Sequence, residues 1–271
     1  MKKTLLAASL SLTMMAPAVM AHDTDGNHGN FSFGSEQCNL EFNNSLRLDK
    51  NVIEITDEDN QVMRIDNRAN VYIEGKKVEL SNAQRAAVSD YADGLREQLP
   101  QVADIALEGV KLASVALAEV SKTLDIPAFE SLGSLMNDVS TEIHNSFYDG
   151  DTFVFDQDNL DAMGAAFGSE FEAKIEKAVE ETMMESIGSI LVAVGSELLS
   201  SGGDMNAMEN KFENMGKAIE EKMEKEAAGL EKKAEALCGS FLVLAQQENE
   251  LQSLLPGIKN YDLFTVKMGK N

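Results

Sequence analysis

The chain has 271 residues, 44% of them apolar, with 46 acidic against 23 basic side chains and a formal net charge of −23 at pH 7. A field of that sign repels phosphate backbones and anionic headgroups, which argues against nucleic-acid binding and electrostatic membrane docking and leaves basic partners or divalent cations open. With no tryptophan and only 4 tyrosines, flat platforms for bases or sugars are scarce.

Residues 1–21, MKKTLLAASLSLTMMAPAVMA, have the form of a Sec signal peptide. Lys2 and Lys3 are its basic region, Leu5 to Met15 its apolar region, and Val19-Met20-Ala21 a small-residue cleavage pattern. Ser9, Ser11, Thr13 and Pro17 interrupt the apolar run, which falls short of the roughly 20 residues needed to cross a bilayer. Cleavage between Ala21 and His22 is therefore expected. It would leave a soluble periplasmic protein with no transmembrane anchor and 21 basic against 46 acidic residues, a net −25.

Residues 22–37, HDTDGNHGNFSFGSEQ, are polar and rich in Gly, Asn and Asp, and read as a flexible mature N-terminus. From 38 to 80 the pattern is a β-meander. Short segments start at Cys38, Ser45, Val52, Gln61, Asn70 and Lys77, and the stretches between them, such as Asn43-Asn44, Asp49-Lys50-Asn51 and Gly75-Lys76, carry turn chemistry. Alternation such as Val71 and Ile73 against Tyr72 and Glu74 gives each strand one apolar face, as in an antiparallel sheet solvated on one side.

A helical region is predicted over 81–259. Ser81 with Gln84 makes a capping box for a helix that runs to about Gln98 and stops at Pro100. The next helix, Val102 to Leu124, is apolar around most of its circumference and should be packed between neighbours. Another piece runs from Pro127 to Phe147, followed by a turn at Tyr148 to Asp151 and a short strand at Thr152 to Phe155. A long helical hairpin spans 158–255, broken by the sequence SSGGD at 200–204. Its second arm carries Met205, Met208, Phe212, Met215 and Ile219, then Leu230, Ala234, Leu237, Phe241, Leu244 and Leu251, a seam of threes and fours. Residues 260–267 read as a C-terminal strand returning to the N-terminal sheet. The expected class is α+β: an N-terminal antiparallel meander with a returning last strand, and a larger helical part.

Cys38 and Cys238 are the only cysteines, and in an oxidising compartment a single disulfide between them is the default, stapling the last helix to the sheet. No Cys-x-x-Cys spacing points to redox chemistry. His22, with its α-amino group, and His28 could chelate a metal such as copper, without an identifiable third ligand. The acidic run Asp149-Gly150-Asp151 with Asp156, Asp158 and Asp161 lacks the EF-hand register and fits helix capping. No G-x-S-x-G elbow is present, and His144 is the one histidine beyond the N-terminal stretch, so no catalytic residue and no cofactor are expected. Met136, Met163, Met183, Met184, Met205, Met208, Met215 and Met223 enrich the helical half. They suit either a core or a surface that accepts several partners.

Cys38-Asn39-Leu40-Glu41-Phe42, Gly75-Lys76-Lys77-Val78-Glu79-Leu80 leading into Asn82-Ala83-Gln84, Leu237-Cys238, Glu248-Asn249-Glu250-Leu251-Gln252 and Tyr261-Asp262-Leu263-Phe264 together resemble the YggN-like family of exported Gram-negative proteins. The resemblance spans the mature chain and implies a periplasmic domain of unknown function, with no activity or site attached. The expected role is that of a non-enzymatic envelope protein that binds other proteins, as a chaperone-like or assembly factor. The alternative is a carrier holding a small apolar ligand between sheet and helices, prompted by the helix from Val102 to Leu124.

Overall fold

The computed structural model describes residues 31–33, 40–124, 129–156 and 205–266, together with positions 176, 177, 180, 184, 188, 191, 192 and 195. The strands are β1 (Phe31–Phe33), β2 (Leu40–Phe42), β3 (Ser45–Leu48), β4 (Val52–Thr56), β5 (Val62–Asp66), β6 (Val71–Ile73), β7 (Lys76–Lys77), β8 (Tyr148–Asp149), β9 (Thr152–Phe155) and β10 (Phe264–Val266). The helices are α1 (Asn82–Gln98), α2 (Gln101–Leu124), α3 (Phe129–Phe147) and α4 (Met205–Leu254), and a 3-10 turn covers Pro256–Tyr261. This is the expected α+β class, with the sheets built mainly from the N-terminal part and a larger helical portion.

The meander folds as an antiparallel seven-stranded sheet in the order β7-β6-β5-β4-β3-β9-β8. Its registers align two apolar rows on one face: Phe153, Leu48, Ile53, Ile65 and Val71, and beside them Phe155, Leu46, Ile55, Met63 and Ile73. The opposite face carries Arg47, Glu54, Arg64 and Tyr72, with Arg64 Nε 2.7 Å from Glu54 Oε2. Aspartates close the turns. Asp49 Oδ1 accepts from the Asn51 and Val52 amides, Asp57 Oδ1 from Asp59 and Gln61, and Asp66 Oδ1 from Arg68 and Asn70. Both edge strands are two residues long, which limits edge-to-edge pairing.

Two features differ from the sequence expectation. β2 leaves the meander and joins a separate sheet of order β1-β2-β10, in which Phe42 faces both Phe31 and Phe264. The Phe-Ser-Phe alternation of β1 therefore forms a strand inside the stretch read as flexible. The C-terminal strand does return, and among the described residues Phe264–Val266 pairs with β2, after a 3-10 turn over Pro256–Tyr261.

The Ser81 capping box is present: Oγ accepts the Gln84 amide at 3.3 Å and Gln84 Oε1 accepts the Ser81 amide at 2.9 Å. Pro100 kinks the chain without turning it away. Leu99 keeps helical dihedrals and α2 resumes at Gln101, so α1 and α2 run on as one bent rod antiparallel to α4. Cross-helix pairs follow a nearly constant register: Gln84 Nε2 to the Leu254 carbonyl at 2.8 Å, Lys233 to Glu108 at 2.6 Å and Lys222 to Glu119 at 3.3 Å. The 32 residues from Lys222 to Leu254 cover about 48 Å of helix. Over this length α1 and α2 lie against α4. The expected first arm of the hairpin, 158–200, lies almost wholly outside the described residues. α3 packs on α2.

At the closest approach, a Cβ on Gly94 would stand 2.6 Å from Leu244 Cδ2, a side chain only 2% exposed. Gly94→Ala should lower stability by about 1 to 3 kcal/mol through overpacking, read as a reduced denaturant midpoint at unchanged m-value. An unchanged midpoint would mean that α1 and α4 are spaced more widely.

Candidate functional site

Two buried polar side chains, Asn44 and Glu248, meet the C-terminal segment where it crosses α4. Glu248 is 4% exposed and sits between Leu244 and Leu251 on the buried face of α4. Its Oε1 accepts the Tyr91 hydroxyl of α1 and the Leu263 amide at 2.7 Å; its Oε2 accepts the Phe264 amide at 3.0 Å. One carboxylate therefore ties α1, α4 and the entry to β10 together. Burial pushes its pKa up to about 7. The three donors pull against that shift, and Asp262 adds to it. Burial, then the charge of Glu248, holds the Tyr91 phenol well above its usual range, so it remains a donor.

Asn43 and Asn44, between β2 and β3, clamp the same segment. Asn43 Nδ2 donates to Asp262 Oδ2 at 2.7 Å and Thr265 Oγ1 at 2.9 Å, and its backbone amide to the Leu263 carbonyl at 3.1 Å. Asn44 Nδ2 donates to the carbonyls of Asn260 and Asp262, both at 2.8 Å. These polar ties overlie an aromatic junction in which the Phe42 ring lies 4.4 Å from Phe155, 5.6 Å from Phe241 and 5.2 Å from Phe264.

Residues 38–264 match the model of a family described as a protein of unknown function, DUF2884. The chain belongs to this family. The matched span opens two residues before β2 and ends at the first residue of β10, the two strands that pair to close the fold. Comparison with curated proteins and with solved structures finds no match.

Within this DUF2884 domain, Cys238 is 9% exposed and packs in the main core three residues before Phe241. Cys38, Ala21, His22 and His28 lie outside the described residues. His144 stacks on Tyr148 at 5.0 Å, and Asp149 pairs with Arg47 at 2.8 Å, so this acidic turn is a hairpin end. Among the described residues no three or more His, Cys, Asp or Glu side chains are grouped to hold a metal ion, and no helix is long and apolar enough to cross a membrane.

The sequence reading missed Glu248 as a site residue, although a signal exists. Leu237, Phe241, Leu244, Glu248, Leu251 and Leu255 step by fours and threes, so Glu248 occupies a seam position where an apolar residue is the rule. The chemistry open to a carboxylate so enclosed is to hold backbone amides and to exchange a proton.

Tyr261, 3% exposed, supplies a contrast: its enclosed hydroxyl has no hydrogen-bond partner among the described residues, and burial followed by the charges of Asp57 and Glu74 pushes its pKa up. Asn44→Ala should cost about 2 kcal/mol by orphaning two carbonyls, whereas Tyr261→Phe should gain about 1 kcal/mol by removing an unpaired polar atom. Parallel chemical denaturation of the two variants checks the opposite signs.

Proposed function

We propose that this DUF2884 protein is a non-enzymatic envelope protein, exported by cleavage of residues 1–21, that binds extended apolar segments of other exported proteins. The observation that carries the reading is an uncovered apolar helical stripe: Met184 is 68%, Leu191 67% and Val192 70% exposed. Positions 184, 188, 191, 192 and 195 share one side of a helix, with exposed Lys177 and Glu180 at one end. Large apolar side chains gathered in water beside charges favour protein contact, and a flexible thioether adapts to varied partners. The strongly acidic charge favours clients that are basic or neutral.

The test is suppression of aggregation of a thermally unfolded client at stoichiometric ratio, with the Met184→Glu, Leu191→Glu double variant beside the parent. Protection by the parent and its loss in the variant are expected. Equal behaviour of the two proteins would overturn the assignment to this stripe, and no protection by the parent would overturn the reading.

A second reading, a carrier of a small apolar ligand, is favoured by α2, whose Leu107, Val110, Leu112, Val115 and Leu117 are only half-buried. Native mass spectrometry of protein purified without added ligand separates the two, since a carrier retains its cargo.

The staple between Cys38 and Cys238 belongs to the same proposal. Its support is proximity along the chain: Cys238 lies three residues before Phe241, whose ring meets Phe42 of β2, and Cys38 precedes β2 by two residues. Intact mass with and without reductant should show a single internal bond. Reduction should lower stability by up to about 5 kcal/mol for a loop of this length.

A further inference from the structure

Met184 differs from the other methionines whose surroundings the structure describes. It is 68% exposed, whereas Met63, on β5 opposite Ile55 and Ile73, is 2% exposed, and Met136 of α3 packs against the main core. Gly188 lies one turn further along the helix, where a side chain would lean back over Met184. Glycine offers none, and a Cβ placed there would meet no atom within 4 Å among the described residues. One turn before Met184, Glu180 is exposed. The thioether therefore stands open to small solutes, on the same stripe as Leu191 and Val192.

We propose that Met184 is an oxidation site, converted to its sulfoxide by a hydroperoxide, and that this conversion weakens the hold of the stripe on its clients. The inference rests on the client-binding role proposed above for the same stripe. In the step, the sulfur lone pair attacks the outer peroxide oxygen. An S–O bond forms, the O–O bond breaks and the hydroxyl proton passes to the leaving oxygen. The thioether gives up two electrons, and hydrogen peroxide is reduced to water or an organic hydroperoxide to its alcohol.

The sign follows from polarity. A flexible apolar thioether becomes a polar, chiral sulfoxide on a surface otherwise made of Leu191 and Val192. Contact with an apolar segment then buries an oxygen without a donor to meet it, which opposes binding. The core should not respond, because Met63 is closed to the oxidant. Methionine sulfoxide reductases return the thioether, taking two electrons from a dithiol and releasing water, so the change is reversible.

The experiment is graded oxidation of the purified full chain with hydrogen peroxide. Peptide mass mapping reads the sulfoxide at each methionine, and protection of a thermally unfolded client is measured on the same samples. Met184 should convert while Met63 stays reduced. The amount of protein needed for half protection should rise about tenfold as Met184 converts. Met184→Leu, close in volume and without sulfur, should protect before oxidation and still protect after it. Should that variant fail to protect at the outset, reductase and dithiol added to the oxidised parent take its place. Protection should then return as the sulfoxide at Met184 disappears, and dithiol alone should not restore it. With an unoxidised parent that protects, oxidation of Met63 ahead of Met184, unchanged protection by the oxidised parent, equal loss in Met184→Leu, or reduction without recovery would each overturn the oxidation site and leave client binding standing. No protection by the unoxidised parent would overturn client binding itself, and the oxidation switch with it.

Discussion

Phe42 is the residue on which the architecture turns. It stands on the middle strand of the small sheet, and its ring meets Phe155 from the edge region of the large sheet, Phe241 from α4 and Phe264 from β10. An aromatic ring offers contact on both faces and around its edge, so one side chain can tie β9 and α4, which lie outside the small sheet, to the paired strands β2 and β10. Phe147 continues the cluster towards α3, 6.0 Å from Phe153. Through these rings two separate sheets and the helices form one continuous core.

The aromatic junction would not by itself choose the path of the C-terminal segment, since apolar contacts are non-directional. Direction comes from Asn43, Asn44 and Glu248, which offer fixed donors and acceptors to the backbone between Asn260 and Phe264. Specificity obtained this way has a cost, because an enclosed carboxylate opposes its own burial.

The molecule also divides by how its surfaces are covered. The C-terminal half of α4 is buried against α1, α2 and the last strand, with Leu237, Phe241, Leu244 and Leu251 at 2% exposure or less. Towards its N-terminus the described residues of the same helix are mostly exposed, and Met184, Leu191 and Val192 hold apolar side chains in water.

Local pattern determined much of the fold. The strands from Ser45 to Ile73, the capping box at Ser81, the helices around Pro100 and the strand at Thr152 follow from period, caps and turn residues, which act within a few positions along the chain. The seam of α4 was equally legible, but not its partner, since a heptad-like stripe states that something apolar faces it and not which segment does. Asn43 and Asn44 read as turn residues, and only the arrival of residues 260–265 makes them a clamp. Glu248 was visible as an acid at an apolar position, yet its donors come from residues 157 and 15 positions away. Tertiary structure alone decided that β2 should leave the meander for a second sheet, because strand alternation fixes which face is apolar but not which neighbour a strand takes.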